Sequence, residues 1–145
     1  MRYIARIKRE RLTKTEEDVD AEKGRVEMIA RMTIKEWQVY INEWCTRKGW
    51  NENLVLGNMI ANLHSEISEA WEEIRNGKQP NEIWYSEDNV LCYQKKLEGF
   101  PIELADLAIR LLHICEYIGV DLEEMIALKM KYNETRSYRH GGKTA

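Results

Sequence analysis

Glycine and proline break residues 33–136 at Gly49, Gly77, Gly99-Phe100-Pro101 and Gly119, and the segments before Gly49, between Gly49 and Gly77, between Pro101 and Gly119, and after Gly119 carry a helical pattern. Glycine suits a helix exit because it enters left-handed backbone without a Cβ clash, and proline suits a first turn because its missing N–H has no partner there. Thr33 followed by Glu36 is a capping-box spacing, so the first helix is predicted from Thr33 to about Arg47. A second is predicted over roughly 53–76, and a third from Pro101 through Ile118. A fourth opens at Asp121 with Glu124 completing another capping box, in DLEEMIALKMKYNETR. The polar stretch with Pro80, Trp84 and Tyr85 is predicted as a loop with a short helical piece near 88–97. Nothing alternates with strand period over a useful length. Four helices and three connections predict an all-α four-helix bundle.

At 145 residues the chain is long enough for one domain with a modest core. Residues 1–31 read as a weakly structured extension, because TKTEEDVDAEKG has almost no apolar content. The basic amino terminus lacks the apolar run of a secretory signal, and no segment is apolar for long enough to span a membrane. Cys45, Cys92 and Cys115 form no CxxC, which fits reduced thiols and a cytoplasmic location. A net charge of −3 gives no overall pull toward nucleic acid. Basic residues nonetheless dominate 2–14 and 129–143, while acid collects between 66 and 73. That contrast is either two solvated charge clusters or the means of holding an anionic, phosphate-bearing ligand.

The acid has a pattern. In LHSEISEAWEEIR, residues 63–75, Leu63, Ile67, Ala70 and Ile74 form the expected core face, and Glu66, Glu69 and Glu73 run at i, i+3, i+7 along its edge. Glu72 points nearly opposite. On the third helix, Leu104, Leu107, Ala108, Leu111, Cys115 and Ile118 form the expected core face. Glu103, Asp106 and Arg110 repeat the same spacing along the same-handed edge. Packed side by side, the two edges can meet. Converging carboxylates repel unless cations neutralise them, and an all-oxygen donor set favours Mg²⁺, with Mn²⁺ as substitute, over zinc. A di-iron carboxylate bundle would need Glu-x-x-His, and no histidine here has a glutamate three positions before it. The alternative is that these groups ring the core and pair with Lys or Arg.

LHSEISEAWEEIRNGK, EGFPIELADLAIRLLHICEYIGVDLEE and KMKYNETRSYRHGGK, in that order, resemble the MazG-like all-α nucleoside triphosphate pyrophosphohydrolases over about residues 33–143. The resemblance implies hydrolysis of a (deoxy)nucleoside triphosphate to the monophosphate and pyrophosphate, with Mg²⁺ on ExxE and ExxD carboxylates. Carried onto this chain, these are Glu66, Glu69, Glu103 and Asp106. Many members have a glutamate directly before the ExxE, where this chain has Ser65. The resemblance also implies phosphate contacts from Lys129, Asn133 and Arg136, and a homodimer or homotetramer.

The residues permit these roles. Lys129, Asn133 and Arg136 share one helix face at i, i+4, i+7, where a lysine, an amide and a forked guanidinium can hold anionic oxygens or stand solvated. Arg139, on the Gly-Gly tail with His140 and Lys143, could close over phosphates. GGK lacks the glycine spacing of a P-loop. Glu73 is the extra acid best placed to act on a water, and could equally be a third ligand or a rim salt bridge; Arg110 reads as a structural ion pair or a phosphate contact. Trp50, just after a helix-ending glycine, could stack a base and Asn62 could read its edge, although tryptophans more often pack in cores. The rival reading is a non-catalytic helical module that binds a nucleotide or a partner. A nucleic-acid adaptor using residues 2–14 fits the acidic balance least.

Overall fold

A computed structural model of the chain describes Gly24 and residues 27–29, 31–86 and 95–138. The chain divides into two compact units, residues 1–33 and 34–145. In the first, Gly24 and residues 27–29 have helical backbone, and Arg31 N donates to Met28 O at 3.1 Å. The basic stretch 2–14 lies outside the described residues.

The second unit is mostly helical. Its elements are α1 (Ile34–Arg47), α2 (Leu56–Arg75), β1 (Trp84–Ser86), β2 (Lys96–Glu98), α3 (Phe100–Tyr117) and α4 (Leu122–Glu134). The expected boundaries hold to within a few residues. Gly49 takes φ 77° after α1 and Gly119 takes φ 71° after α3, each in the left-handed region where a side chain would be strained. Gly49 N donates to Thr46 O and Trp50 N to Cys45 O at 2.9 Å, which closes α1 and fixes where Trp50 leaves it. Pro101 sits in the first turn of α3, and Asp121 caps α4 by accepting from Glu124 N at 3.1 Å.

The expected all-α character needs one correction. β1 and β2 form a small antiparallel hairpin with Trp84 opposite Glu98 and Tyr85 opposite Leu97. Residues 96–98 are therefore strand, and not part of the helical piece expected near 88–97; residues 87–94 lie outside the described ones. Gly99 makes the hairpin possible, because a Cβ there would collide with the Glu82 carbonyl and crowd the Trp84 ring. Three residues per strand are too few for a period-two pattern to stand out.

Helices α1, α2 and α3 pack together, with α3 between the other two, while α4 packs on α1. The seam also differs from expectation. Ala70 and Cys115 are buried as predicted, but Ile67 is 52% exposed and Leu104 44%, and Ala108, Leu111 and Ile118 are exposed as well. Glu66, Met59 and Ala70 take the buried line of α2, and Glu103, His113, Ile114 and Cys115 that of α3. The seam is thus rotated toward the acids, which lie inside it and not along its edge. Five apolar side chains of the expected core face are left at the surface of the single chain.

Gln38 of α1 is fully buried and works as a staple. Its amide donates to Val120 O at 2.8 Å, and its carbonyl oxygen accepts from Leu122 N at 2.8 Å. It thereby satisfies backbone groups of the turn between α3 and α4 that would otherwise lack partners. Beside it, Lys35 Nζ pairs with Glu116 at 3.0 Å, and Lys35 N donates to Glu123 at 3.1 Å.

Candidate metal centre and adjoining cleft

Glu66 from α2 and Glu103 and Asp106 from α3 converge so that one oxygen from each lies within 4.8 Å of the others. Glu66 is 4% and Glu103 5% exposed; Asp106 is the more open member. The i, i+3 spacing of Glu103 and Asp106 sets both on the side of α3 that faces α2, as their positions in the sequence predict. Burial, followed by the charges of Glu69, Asp106 and Glu66, pushes the Glu103 carboxyl above the usual range, against a smaller opposing pull from Lys96. The cluster is short of positive charge. All its donors are carboxylate oxygens, two of them withdrawn from water, and that set fits a hard divalent cation such as Mg²⁺.

Glu69, the fourth expected ligand, lies outside the triad. Its carboxylate accepts from Ser65 Oγ at 3.2 Å, so the serine one turn earlier holds this side chain. Glu69 remains near enough to act electrostatically on Glu103 and on Lys96. Glu73 also stands outside the triad, half-buried, with Oε2 withdrawn from solvent and without a hydrogen-bond partner among the described residues.

Two cations attend the acids. Arg110 of α3 places Nε against Glu66 Oε1 of α2, a charge contact without an aligned hydrogen bond. Its partner is thus the acid across the seam, not Glu103 or Asp106 on its own helix. Lys96, delivered by β2, pairs with Glu98 at 2.9 Å and feels both Glu103 and Glu69.

Next to the acids opens a cleft in two parts that share Trp50, Arg110 and His113. One part, about 210 Å³, is lined by Trp44, Cys45, Trp50, Asp106, Ile109, Arg110 and His113. The other, about 220 Å³, is lined by Trp50, Leu54, Met59, Asn62, Arg110, His113 and Ile114. Asp106 and the two tryptophans thus line one part, and Trp50, Arg110 and His113 stand where it meets the other. Trp50 packs edge-on against Trp44 at a ring-centroid distance of 5.2 Å, yet stays 57% exposed. Of the two residues expected to face a base, Trp50 lines the part that Asp106 lines and Asn62 lines the other.

The expected phosphate residues are placed elsewhere. Lys129 and Asn133 lie on α4, which has no buried residue, but α4 ends at Glu134 and Arg136 stands in the turn beyond it, so the three do not share one helix face as expected. Lys129 Nζ lies 4.8 Å from the centre of the Tyr132 ring, and Asn133 Nδ2 donates to Met130 Sδ. Among the described residues, no hydrogen bond or ion pair joins them to the acid cluster. Arg139 lies outside the described residues.

Spacing alone singled out neither His113 nor Lys96. Asp106, Arg110 and His113 run at i, i+4, i+7, and that signal could have added the histidine. Lys96 reaches the acids only through the hairpin. The chain matches no protein-family model, and no curated protein or solved structure is similar to it.

Proposed function

We propose that the protein is a Mg²⁺-dependent nucleoside triphosphate pyrophosphohydrolase of MazG-like type, a helical bundle that converts a (d)NTP to the (d)NMP and pyrophosphate. One observation carries the reading: an all-carboxylate triad with two buried members reaches, through Asp106, a cleft that the exposed Trp50 also lines. A triphosphate needs the acids and a nucleobase the aromatic wall, so one cleft offers what both ends of the substrate require.

Glu66, Glu103 and Asp106 would hold the cation, and Glu69 would join them on leaving Ser65. When bound, magnesium supplies charge neutralisation for the triphosphate oxygens and a more acidic water. The water oxygen attacks phosphorus, the P–O bond to the leaving pyrophosphate breaks, and the water's proton passes to a carboxylate. Glu73 suits that role, because its sheltered Oε2 has no competing donor. Arg110, relieved of Glu66 once a cation shares that carboxylate, turns its guanidinium to phosphate oxygens at the junction. Lys129 and Asn133 of α4 and Arg136 just beyond it would add phosphate contacts. Trp50 stacks the base and Asn62 meets its edge. The exposed apolar line Ile60, Ile67 and Trp71 of α2, together with Leu104, Leu111 and Ile118 of α3, supports a homodimer or homotetramer.

The test is pyrophosphate release from a panel of ribo- and deoxynucleoside triphosphates, in magnesium and in EDTA. Magnesium-dependent release that disappears in Asp106→Ala supports the reading. Nucleotide binding without release of pyrophosphate would leave the non-catalytic binding module.

A further inference from the structure

His113 is the one histidine of the seam, 9% exposed, and its ring lines both parts of the cleft. The hydrogen bonds around it fix which ring nitrogen carries the proton. Thr46 Oγ1 donates its proton to Asn42 O at 2.9 Å, so that hydroxyl can only accept from Asn51, 2.7 Å away. The Asn51 atom facing Thr46 is therefore the amide nitrogen, which also donates to Asn42 Oδ1 at 3.0 Å and points toward Asn42 O at 3.4 Å. Asn51 Oδ1 must then be the atom 2.7 Å from His113 Nε2, and a carbonyl oxygen only accepts. His113 Nε2 carries the hydrogen. Burial also holds the imidazole below its ordinary pKa, in the neutral form. In a neutral ring with Nε2 protonated, Nδ1 is a bare acceptor, and it has no hydrogen-bond partner among the described residues.

The geometry points to His113 as a specificity-determining residue whose Nδ1 accepts a hydrogen bond from the exocyclic amino group of a base stacked on Trp50. This inference rests on the nucleotide reading of the cleft. It selects the substrate class: triphosphates of amino-bearing bases over their keto counterparts, cytosine over uracil and adenine over hypoxanthine. A keto oxygen at the same place would face the Nδ1 lone pair, acceptor against acceptor, and a buried acceptor without a donor is costly. Sites built to hydrogen-bond a substrate group reject the analogue lacking it far more strongly than apolar pockets do. Asn51, Thr46 and Asn42 act through His113 by fixing its tautomer; they are positioning residues.

The experiment compares kcat/KM for dCTP against dUTP, and dATP against dITP, in wild type and in His113→Phe. The wild type should favour each amino-bearing partner by about tenfold or more, and His113→Phe should bring both ratios to within about threefold of unity. Loss confined to overall rate, with the ratios kept, would overturn the role. Binding is read independently of turnover, by quenching of the Trp50 fluorescence (the component lost in Trp50→Phe) with cytidine and uridine monophosphates, and by ¹⁵N shifts of the His113 ring. Cytidine preference with a Nε2–H tautomer and a shift at Nδ1 would support the inference even if no triphosphate were hydrolysed, in which case the enzyme reading alone fails. Equal binding of the two monophosphates, or a Nδ1–H tautomer, would sink it whether or not pyrophosphate is released.

Discussion

The α2–α3 seam and α4 are both made of residues that read as amphipathic helix, and they end in opposite situations. The seam buries Glu66, Glu103 and His113 beside Met59, Ala70, Ile114 and Cys115, while α4 buries nothing and leaves Leu128, Met130 and Tyr132 more than half exposed. Helix formation and burial are thus separate decisions. Caps and glycines start and stop a helix locally, but which face is covered depends on what lies opposite. Where Glu66 meets Arg110 across the seam, a charged contact occupies the line that apolar residues were expected to hold. Such a pair does little for stability compared with an apolar contact.

The difference is sharpest in activity. Glu103→Ala or Asp106→Ala should reduce magnesium-dependent pyrophosphate release on the order of 10²–10³-fold, with the far-ultraviolet circular dichroism of a helical fold retained. Wild-type turnover in either variant would put the seam on a level with α4 and remove the metal role.

The next largest effect concerns how α4 is attached. Gln38→Ala strips the partner from Leu122 N and from Val120 O at once and opens a void at a fully buried position. The expected loss is about 2–3 kcal/mol, read by urea unfolding. Hydrogen exchange should accelerate across residues 122–134 before it does so across α2 and α3. Uniform acceleration of all four helices would mean that α4 and the seam form one cooperative unit.

Much of this architecture was legible in the residues themselves. Gly49, Gly77, Gly119, Pro101 and Asp121 mark helix ends through local backbone chemistry, which needs no partner, and each marks an end in the structure. The rotation of the seam was not legible, because Ile67 and Leu104 satisfy a helical stripe whether they face α3, α2 or a second copy. The acid cluster was three-quarters legible: the i, i+3 spacing brought Glu66, Glu103 and Asp106 together, while the rotamer that ties Glu69 to Ser65 depends on a hydroxyl whose reach the spacing cannot express. His113 stayed hidden because Asn51, the residue that gives it meaning, is 62 positions away.

At α4 and the turn that follows it, the comparison turns on the cations. Lys129→Ala and Arg136→Ala remove exposed side chains and should alter unfolding free energy by no more than about 0.5 kcal/mol. If α4 reaches the triphosphate, each should raise KM about tenfold with kcat little changed, since the contact is made equally in ground and transition states. An unmoved KM would leave Arg110 as the cation that meets the phosphates and α4 as scaffold.

The smallest effects are those of pH, and here the acid cluster and the cleft histidine pull in opposite directions. Glu103 is shifted upward, mainly by burial with Glu69, Asp106 and Glu66 adding to it, so the folded chain holds that proton more tightly than the unfolded one. Its contribution is present below the ordinary glutamate value and is lost as pH rises through the folded value. His113 is shifted downward by burial, so the unfolded chain takes up that proton first. Its contribution is present above the ordinary histidine value and is lost as pH falls toward the folded one. Each limb has a slope of at most about 1.4 kcal/mol per pH unit. Melting temperature followed between pH 4 and pH 8 should therefore change slope in opposite senses in Glu103→Gln and His113→Phe, the first losing the decline with rising pH and the second the decline with falling pH. Magnesium adds the deciding control. A cation on the triad favours ionised Glu103 and should flatten the glutamate limb more than the histidine one, because His113 is no member of the acid group. If magnesium flattened both limbs equally, the histidine would answer to the cation as directly as the acids do, and the separation of the two roles would fall.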